Sequence, residues 1–586
     1  MKMNRTHLSI AGAAILAALP GVAQVTAPEP ASVPHLEKRR NATQLIVDGR
    51  PYLALAAELA NSASSNLEYL EPYWSRLVAS HVNTVLVAVS WELIEPEPSK
   101  FDFSLVDGVI RDARKHNLRL MLLWFGSWKN SMSTYAPPWI KKDTKRYPLL
   151  VDENSNNLNM MSVFYEANWK ADANAYRALM RHVREVDGKD QTVLMMQVEN
   201  EVGVRGTSRD HAPEAEKALN GPVPKELMDY LAKNRDSLIP EIRQQWAANG
   251  NKTSGTWREV FGSDRRGDGI FMSWYYARYI DQVAAAGKAE YPLPTFVNAA
   301  LGDWVGQYSS GAALADTLNI WQAAAPHIDI LTPCIYRPVF SEWASLFHRA
   351  GNPLFIPETR PDPGYAVWAF GRHALMGFSP FAYERSADGA TPLARAYDVL
   401  GQLAPLILEG QSKGTISAAV LVPDKPSESV ELGGYTFELK RGRGPGGPPA
   451  NQQAPGQPAG RAGAQAGAQQ AAGGRGQTGV PFEQGAFALS TGYAMFISTG
   501  ADEFIIMGSG AQITFHPNTP GPKTASISTL EEGRYVDGRW VPGRRLNGDD
   551  TSLEYSLVEQ AKLNQSGQGL RFGNDPSIVH ITIYRY

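Results

Sequence analysis

Two glutamates close short apolar runs that are typical of buried strands. Glu201 ends the motif Gln197–Glu201, which follows the apolar run 192–196, and Glu358 ends the run Pro353–Glu358. In a barrel of alternating strands and helices, catalytic groups gather at the carboxyl ends of the strands. Hydrolysis of a glycosidic bond needs two carboxyl groups, because one protonates the leaving oxygen while the other stabilises or attacks the anomeric carbon. The pair therefore predicts a glycoside hydrolase.

The neighbours of the two glutamates suit different tasks, because the acid needs a raised pKa while the nucleophile must stay ionised. Asn200 directly precedes Glu201, and its amide could donate a hydrogen bond to a sugar hydroxyl. Arg360 lies two residues after Glu358, where its guanidinium would lower the pKa of that carboxyl. Tyr336 follows another apolar run and could donate its hydroxyl to Glu358.

A third carboxylate, Glu199, is a rival for the role of the acid. Strand alternation places Glu199 and Glu201 on the same face, so periodicity does not separate them. The amide directly before Glu201 favours Glu201.

From residue 43 to residue 407, short apolar runs alternate with longer amphipathic ones. Eight strands with helices between them predict an α/β fold, a (β/α)8 TIM barrel, rather than a doubly wound sheet. The predicted strands are Tyr52–Ala57, Thr84–Ser90, Arg119–Trp124, Thr192–Val198, Thr295–Asn298, Ile328–Thr332, Leu354–Ile356 and Ala374–Phe381. The predicted helices include Leu70–Ser80, Leu105–His116, Glu166–Val186, Ser273–Ala286 and Thr317–Ala325.

The remainder of the chain, residues 408–586, has a different pattern. Its short strand-like runs are bounded by turn residues, which predicts an all-β accessory domain. Residues 441–478 consist almost wholly of Gly, Ala, Pro, Gln and Arg. Because this stretch lacks apolar residues to bury, we expect a disordered insertion.

Residues 1–23 have the three parts of a secretory signal peptide. Lys2 and Arg5 supply the positive start, 8–19 is the apolar segment, and 21–23 offers small residues for cleavage. We therefore expect a periplasmic or secreted protein, in which residues 24–42 form a linker. No further run approaches the ~20 apolar residues that span a bilayer, so no membrane partner is expected after cleavage.

The composition argues against several classes of function. A net charge of -3 gives no electrostatic reason to expect a nucleic acid partner. Cys334 is the single cysteine, and its apolar run favours an inert buried thiol. The histidines are scattered, and no cluster has the spacing of metal ligands. We expect neither a cofactor nor a catalytic metal.

Three motifs together resemble family 35 of the glycoside hydrolases, the β-galactosidases. Residues 197–203 are similar to the family signature Q-V-E-N-E-[YVI]-G. Residues 91–103 resemble its W-x-x-x-E-P-x-x-G-x-[YF]-D-F motif, and residues 57–62 resemble its G-E-x-H-x-[ST] motif. The resemblance covers roughly residues 43–410, and the β-rich tail looks like the accessory domain of the bacterial branch.

This resemblance implies a retaining exo-β-galactosidase that removes terminal β-D-galactose from an oligo- or polysaccharide, such as xyloglucan side chains. Retention implies carboxyl groups ~5–5.5 Å apart, against ~6.5–9.5 Å for inversion. The resemblance implies that Glu201 is the acid/base and Glu358 the nucleophile. It also implies that Asn200 contacts the 2-hydroxyl and that galactose is bound by Glu58, Lys129 and Asn130. The implied cleft walls are Trp91 and Trp124. A homodimer is a further expectation.

Three residues depart from the family pattern. Ala60 stands where a His is common, Asn130 where the animal and plant branch has an acidic residue, and Cys334 where relatives commonly have Asp. Two alternatives therefore accompany the prediction: a retaining glycosidase of the same clan for another terminal sugar, and a carbohydrate-binding relative without activity. Since both carboxylates are present, the sequence favours an enzyme.

Overall fold

The computed structural model describes residues 33–301, 308–337, 339–441, 489–551 and 568–586. The predicted signal peptide lies outside these ranges, as does the predicted insertion 441–478 apart from Arg441. Within the described ranges, no helix combines the length and the apolar character needed to cross a membrane.

A three-stranded antiparallel sheet precedes the barrel. It comprises β1 (His35–Arg39), β2 (Ala42–Val47) and β3 (Arg50–Tyr52). Leu45 and Val47 join the apolar cluster inside the barrel, together with residues from the first half of several barrel strands, so the sheet closes the amino-terminal end. Within the linker predicted for 24–42, His35–Arg39 form the polar strand β1, which pairs along its length with β2.

Eight parallel strands then close into a barrel, and they follow one another around it in chain order. The barrel strands are β4 (Ala54–Glu58), β5 (Thr84–Ser90), β6 (Arg119–Lys129), β9 (Val193–Asn200), β10 (Thr295–Ala300), β11 (Ile330–Ile335), β12 (Ile356–Thr359) and β13 (Gly377–Pro380). A small hairpin of β7 (Leu149–Val151) and β8 (Asn157–Met161) lies between β6 and β9 in the chain. The predicted (β/α)8 barrel is confirmed.

Helices follow the barrel strands in sequence. They are α1 (Leu67–Ala79), α2 (Trp91–Ile94), α3 (Ser104–Lys115), α4 (Pro138–Lys141), α5 (Glu166–Asp187), α6 (Pro213–Asn220), α7 (Lys225–Lys233), α8 (Pro240–Ala248), α9 (Trp257–Phe261), α10 (Arg265–Lys288), α11 (Leu318–Ala324), α12 (Phe340–Phe347), α13 (Pro363–Arg372) and α14 (Pro392–Lys413). Short 3-10 helices cover Ala63–Ser65, Arg235–Ser237, Ala315–Thr317, Tyr383–Arg385 and Gly548–Asp550. The last barrel helix passes the predicted boundary at 407 and ends at Gly414, whose φ of 73° suits a glycine cap.

Strand alternation decides which side chains fill the barrel. On β6, Met121, Leu123 and Phe125 belong to the interior cluster. Leu122 and Trp124 belong to the cluster that also contains the buried helix residues. Since successive strand residues point to opposite faces, alternation separates interior from helix-facing side chains as far as Phe125, beyond which the pairing of β6 with β9 shifts register.

The carboxyl-terminal region is all-β and forms two antiparallel sheets around a common core. The strands are β14 (Ile416–Leu421), β15 (Ser427–Leu432), β16 (Tyr435–Arg441), β17 (Gly492–Gly500), β18 (Glu503–Ser509), β19 (Ala511–Pro517), β20 (Ala525–Val536), β21 (Arg539–Arg545), β22 (Leu570–Arg571) and β23 (Ser577–Arg585). The larger sheet has the order β14-β17-β18-β23-β20-β21, and the smaller has the order β15-β16-β19-β22. The predicted all-β accessory region is confirmed.

Strands β14, β17 and β18 of the larger sheet are buried on both faces. Ala494 and Phe496 point into the core shared with the smaller sheet, whereas Tyr493 and Met495 belong to the apolar cluster of the barrel. Helix α13 packs against β14 and β17 at this contact. The close approach depends on Gly371, where an added Cβ would lie 2.5 Å from the Cβ of Ala418.

Candidate active site

Three glutamates converge at the carboxyl end of the barrel. Glu58 ends β4, Glu201 follows β9, and Glu358 lies in β12, which are the first, fourth and seventh barrel strands. Their side chains are 1%, 8% and 6% exposed. One carboxylate oxygen of Glu201, one of Glu358 and the Sγ of Cys334 all lie within 4.8 Å of one another. The structure thus brings together the two carboxylates that the sequence singled out.

Glu358 is held at both oxygens. Tyr336 Oη donates a hydrogen bond to Oε1 at 2.8 Å, and the Cys334 thiol donates to Oε2 at 3.5 Å. Burial and the negative charge of Glu201 raise the pKa of Glu358, whereas the ammonium of Lys129 and these two donors oppose the rise. The expectation of a pKa lowered by Arg360 is wrong, because Arg360 is exposed beyond the strand end and the effective cation is Lys129.

Cys334 lies in the site because of strand register. It is the pairing partner of Glu358 between β11 and β12, so the thiol faces the same space as the carboxylate. Asn298 Nδ2 donates to its Sγ at 3.3 Å. Burial and the charges of the nearby glutamates raise the pKa of the thiol well above its usual range. Cys334 is buried as predicted, but it lies among polar groups, which the apolar run around it did not indicate.

Lys129 is the buried cation of the site. Its Nζ donates a hydrogen bond to Asn200 Oδ1 at 2.8 Å and lies 5.1 Å from the ring centre of Phe125. Burial alone would lower the pKa of Lys129, but the charges of Glu358, Glu201 and Glu58 outweigh it and the pKa is raised. The side chain therefore stays an ammonium among three carboxyl groups.

Two polar atoms near these groups lack partners. Glu58 Oε2 and Asn200 Nδ2 are buried and make no hydrogen bond within the described part of the chain. Burial and the charge of Glu358 raise the pKa of Glu58 well above its usual range, and Glu201 adds to the rise. Because a buried polar atom without a partner is costly, these atoms favour a hydroxyl-rich ligand between them.

The backbone at Glu201 is bent by two residues in the left-handed region. The φ angles of Glu199 and Glu201 are 65° and 45°. The amide of Glu201 donates to Asn298 Oδ1 at 2.8 Å, and its carbonyl accepts from Ser131 N at 3.0 Å. Sequence reasoning missed Asn298, although an asparagine in the otherwise apolar strand β10 was a usable signal. Strained backbone of this kind persists only where the surroundings hold it in place.

Glu199 does not compete for the role of the acid. Its Oε1 accepts from Ser127 N at 3.0 Å and its Oε2 accepts from Trp128 N at 2.7 Å, on the side of the barrel that faces α5. The prediction that Glu199 and Glu201 share a face is wrong, because the positive φ at Glu199 interrupts strand alternation. The carboxylate of Glu199 instead anchors the end of β6, one residue before Lys129.

A second buried acid, Asp172 of α5, completes this anchor. Asp172 accepts from Trp124 Nε1 at 2.8 Å and from Ser127 Oγ at 2.6 Å. Burial raises the pKa of Asp172. The pKa of Glu199 is raised well above its usual range by burial, by the negative charge of Asp172 and by a hydrogen bond with Asp172.

The predicted cleft walls Trp91 and Trp124 are corrected. Both are fully buried and belong to the apolar cluster between strands and helices. Trp124 points away from the barrel interior because of its register on β6, and its indole donates to Asp172. Trp91 donates its indole N–H to Glu95 Oε2 at 2.8 Å. Both residues support the barrel wall from outside.

Asn130 and Ala60, which depart from the family pattern, lie at the carboxyl end of the barrel. Asn130 is exposed, and its backbone N–H donates to the carbonyl of Asn200 at 3.2 Å, which places it directly beside the acid strand. The backbone of Ala60 donates to Glu384 Oε2 at 3.2 Å. Glu384, after the eighth strand, was not predicted, and its single position gave no sequence signal.

Comparisons of the sequence with protein families give two matches. Residues 66–261 match the glycoside hydrolase 42 model, described as "Beta-galactosidase", and residues 393–557 match a "Domain of unknown function (DUF5597)". The first match covers Glu201 but neither Glu58 nor Glu358. This part of the barrel is therefore similar to β-galactosidases and glycoside hydrolase-like. Since the matching model is that of family 42, the narrower resemblance to family 35 stays a prediction. A comparison with curated proteins finds no match.

Solved structures with a similar chain path include two β-galactosidases and a β-amylase. The enzyme from Bacillus circulans sp. alkalophilus is 15% identical with a TM-score of 0.43, over 61% of this chain and 57% of that one. The enzyme from the psychrophilic Marinomonas ef1 is 12% identical with a TM-score of 0.41, over 62% and 60%. The β-amylase catalytic domain from Paenibacillus polymyxa is 11% identical with a TM-score of 0.40, over 56% and 92%. The match thus spans under two thirds of either β-galactosidase chain.

Proposed function

We propose that this chain is a retaining exo-β-galactosidase with Glu201 as acid/base and Glu358 as nucleophile. The observation that carries the proposal is the approach of their carboxylate oxygens to within 4.8 Å at the ends of the fourth and seventh barrel strands. Retaining enzymes hold their carboxyl groups ~5–5.5 Å apart, whereas inverting enzymes need ~6.5–9.5 Å to admit a water molecule. The short separation supports direct attack by one carboxylate.

In the first step, a Glu358 oxygen attacks the anomeric carbon while Glu201 donates its proton to the departing glycosidic oxygen. The bond between sugar and leaving group breaks, and a covalent galactosyl ester of Glu358 forms. Tyr336 and Cys334 each bind one oxygen of Glu358, which orients the plane of the carboxylate toward the sugar. Glu201 is left as a carboxylate.

In the second step, Glu201 removes a proton from a water molecule whose oxygen attacks the anomeric carbon. The ester bond to Glu358 breaks, galactose leaves with net retention, and both glutamates return to their starting states. The ammonium of Lys129 stabilises the anionic form of Glu358.

Recognition of the sugar rests on the two unpartnered atoms. Asn200 Nδ2 can donate to the 2-hydroxyl, while Glu58 Oε2 can bind a further hydroxyl as donor or acceptor. The assignment to galactose comes from the β-galactosidase-like segment 66–261 and from the motifs at 57–62 and 91–103. The predicted signal peptide supports action on polymers outside the cytoplasm, with galactosylated xyloglucan side chains as the first polymer to assay.

The test is hydrolysis of a panel of p-nitrophenyl glycosides by the wild type, Glu358→Gly and Glu201→Ala. Loss of a catalytic acid or base costs about 10²–10⁴-fold in rate. With added azide, Glu358→Gly should give the α-galactosyl azide and Glu201→Ala the β-galactosyl azide, because azide replaces a different partner in each variant. Glu97→Gln is the matched control, since Glu97 is exposed in the turn after α2.

Each outcome decides a separate part of the proposal. Turnover of another glycoside but not of galactosides would keep the catalytic pair and overturn the sugar. Galactoside binding without turnover would overturn the enzyme in favour of a carbohydrate-binding protein. An inverted product from the wild type would overturn the double displacement.

A further inference from the structure

Three side chains of two chemical kinds converge in the candidate active site. The Sγ of Cys334 and one oxygen each of Glu201 and Glu358 are mutually within 4.8 Å, and the three residues are 2%, 8% and 6% exposed. Zinc bonds of ~2.0–2.3 Å in a tetrahedral site place two ligand atoms about 3.3–3.7 Å apart. Side-chain rotations that shorten the distances between the three atoms by about one ångström would therefore bring them around one ion.

The surroundings favour a cation. Glu58 lies close enough to Glu201 and Glu358 for the three charges to act on one another, and its Oε2 is buried without a partner in the described ranges. The ammonium of Lys129 opposes a cation, but a bound metal ion displaces the protons of its ligands, and three carboxyl groups surround this space. Glu58 Oε2 is thus a candidate fourth ligand.

The thiol gives the site a preference among metal ions. Carboxylates alone suit hard ions such as Mg²⁺ and Ca²⁺, whereas a thiolate shifts the preference toward Zn²⁺ and related soft ions. Pairing of Cys334 with Glu358 across β11 and β12 holds the sulfur beside the nucleophile in the folded chain. Asn298, which donates to the sulfur, can continue to do so when the thiolate is a ligand.

We propose that Glu201, Cys334 and Glu358 bind Zn²⁺ in the space that the sugar would occupy, so that zinc inhibits the enzyme. On binding, the S–H bond of Cys334 and the O–H bond of Glu201 break, bonds form from Zn²⁺ to Sγ and to one oxygen each of Glu201 and Glu358, and the two protons pass to solvent. No electron is transferred. The metal site itself stands on geometry, whereas the inhibition rests on the proposed function.

The direct test uses Co²⁺ as a spectroscopic probe on the full-length protein. A thiolate ligand to Co²⁺ gives an intense charge-transfer band in the near ultraviolet, which carboxylates do not give. The wild type should develop this band at one equivalent, and Zn²⁺ should displace it. Cys334→Ser should lose the band and weaken Zn²⁺ binding at least about tenfold, because a hydroxyl is a poor zinc ligand. Circular dichroism and a thermal melt establish that the variant is folded.

A control separates this site from surface ligands. His81 is exposed and lies 3.7 Å from Asp398, so it could bind a metal ion at the surface. His81→Gln should leave the charge-transfer band unchanged. No band in the wild type, or equal Zn²⁺ affinity in folded Cys334→Ser and the wild type, would overturn the inference.

Activity measurements then distinguish the two proposals. Zn²⁺ should be a competitive inhibitor of p-nitrophenyl galactoside hydrolysis, because the ion and the galactoside would bind in the same space. Hydrolysis without a Co²⁺ band refutes the metal site and leaves the function standing. A band without hydrolysis of any glycoside refutes the function and leaves the metal site standing.

Discussion

Lys129 and Asn200 are cross-strand partners, and Lys129 Nζ donates to Asn200 Oδ1 at 2.8 Å. Because an ammonium can only donate, this bond fixes the orientation of the Asn200 amide. The Nδ2 group must then point elsewhere, and it has no partner among the described residues. A buried lysine thereby presents an amide donor beside the acid Glu201.

Replacing Lys129 by Met should lower kcat/KM for galactosides about 10²-fold or more, because Asn200 loses its orientation and the carboxylates lose their cation. The pKa of Glu358 should rise at the same time, since Lys129 opposes its rise in the wild type. Steady-state kinetics between pH 4 and pH 8 measure both effects. Lys100→Met, at an exposed lysine paired with Glu97, should change neither.

Replacing Tyr336 by Phe should move the acid limb of the kcat/KM profile to higher pH. Only ionised Glu358 attacks, and the Tyr336 hydroxyl stabilises that ionised form, so its loss raises the pKa of Glu358. Activity should therefore disappear at a higher pH on acidification and persist near neutrality at reduced kcat. An unshifted acid limb in a folded variant would show that the contact does not influence the nucleophile.

Replacing Glu199 by Gln should destabilise the protein by about 1–3 kcal/mol, because an amide NH₂ cannot accept one of the two backbone N–H bonds. Chemical unfolding measures the change. Glu166→Gln, at an exposed glutamate paired with Lys170, should stay within about 0.5 kcal/mol of the wild type. A Glu199→Gln protein as stable as this control would contradict the anchoring role.

Asp316 should make stability depend on pH. Burial raises its pKa from the ordinary 3.8 to about 6, and Glu241 adds to the rise while Arg266 opposes it. A raised carboxyl pKa means that the folded state binds the proton more tightly, so the contribution to stability is present at low pH and is lost as pH rises through about 6.

Asp316→Asn should therefore stabilise the protein at pH 8 by at most about 3 kcal/mol and have little effect at pH 4. Thermal melts at the two pH values test this, with Asp229→Asn as the exposed control. Equal effects at both pH values would rule out the titration of Asp316 as the cause.

The local sequence pattern was sufficient to predict many of the strands and helices of the barrel. Thr84–Ser90 is an unbroken apolar run and forms β5 at those residues, and α5 begins at Glu166 as its periodicity indicates. Helix α14 was not predicted, because Gly401 and Pro405 interrupt its pattern. Strand β21, Arg539–Arg545, is almost wholly exposed and owes its conformation to pairing with β20, which local propensity does not encode.

For the site, the sequence identified the carboxylates but not what holds them. Glu201, Glu358 and Tyr336 stand at recognisable strand ends. The contacts of Asn298 and Cys334 depend on register between strands, and those of Asp172 depend on the packing of α5 against β6. The direction of Glu199 depends on one positive φ. Such features emerge only once the chain is folded.

The larger sheet of the carboxyl-terminal region has a consequence for any attempt to treat that region as a transferable module. If the chain were cut after Lys413, the carboxyl-terminal region would expose Tyr493, Met495 and Ile497 to water. The barrel would expose the face of α13 around Gly371. Apolar faces of this kind promote aggregation when uncovered. Separation would therefore uncover an apolar surface on both parts, and a chimaera that exchanges either part would need α13 and β17 that fit one another.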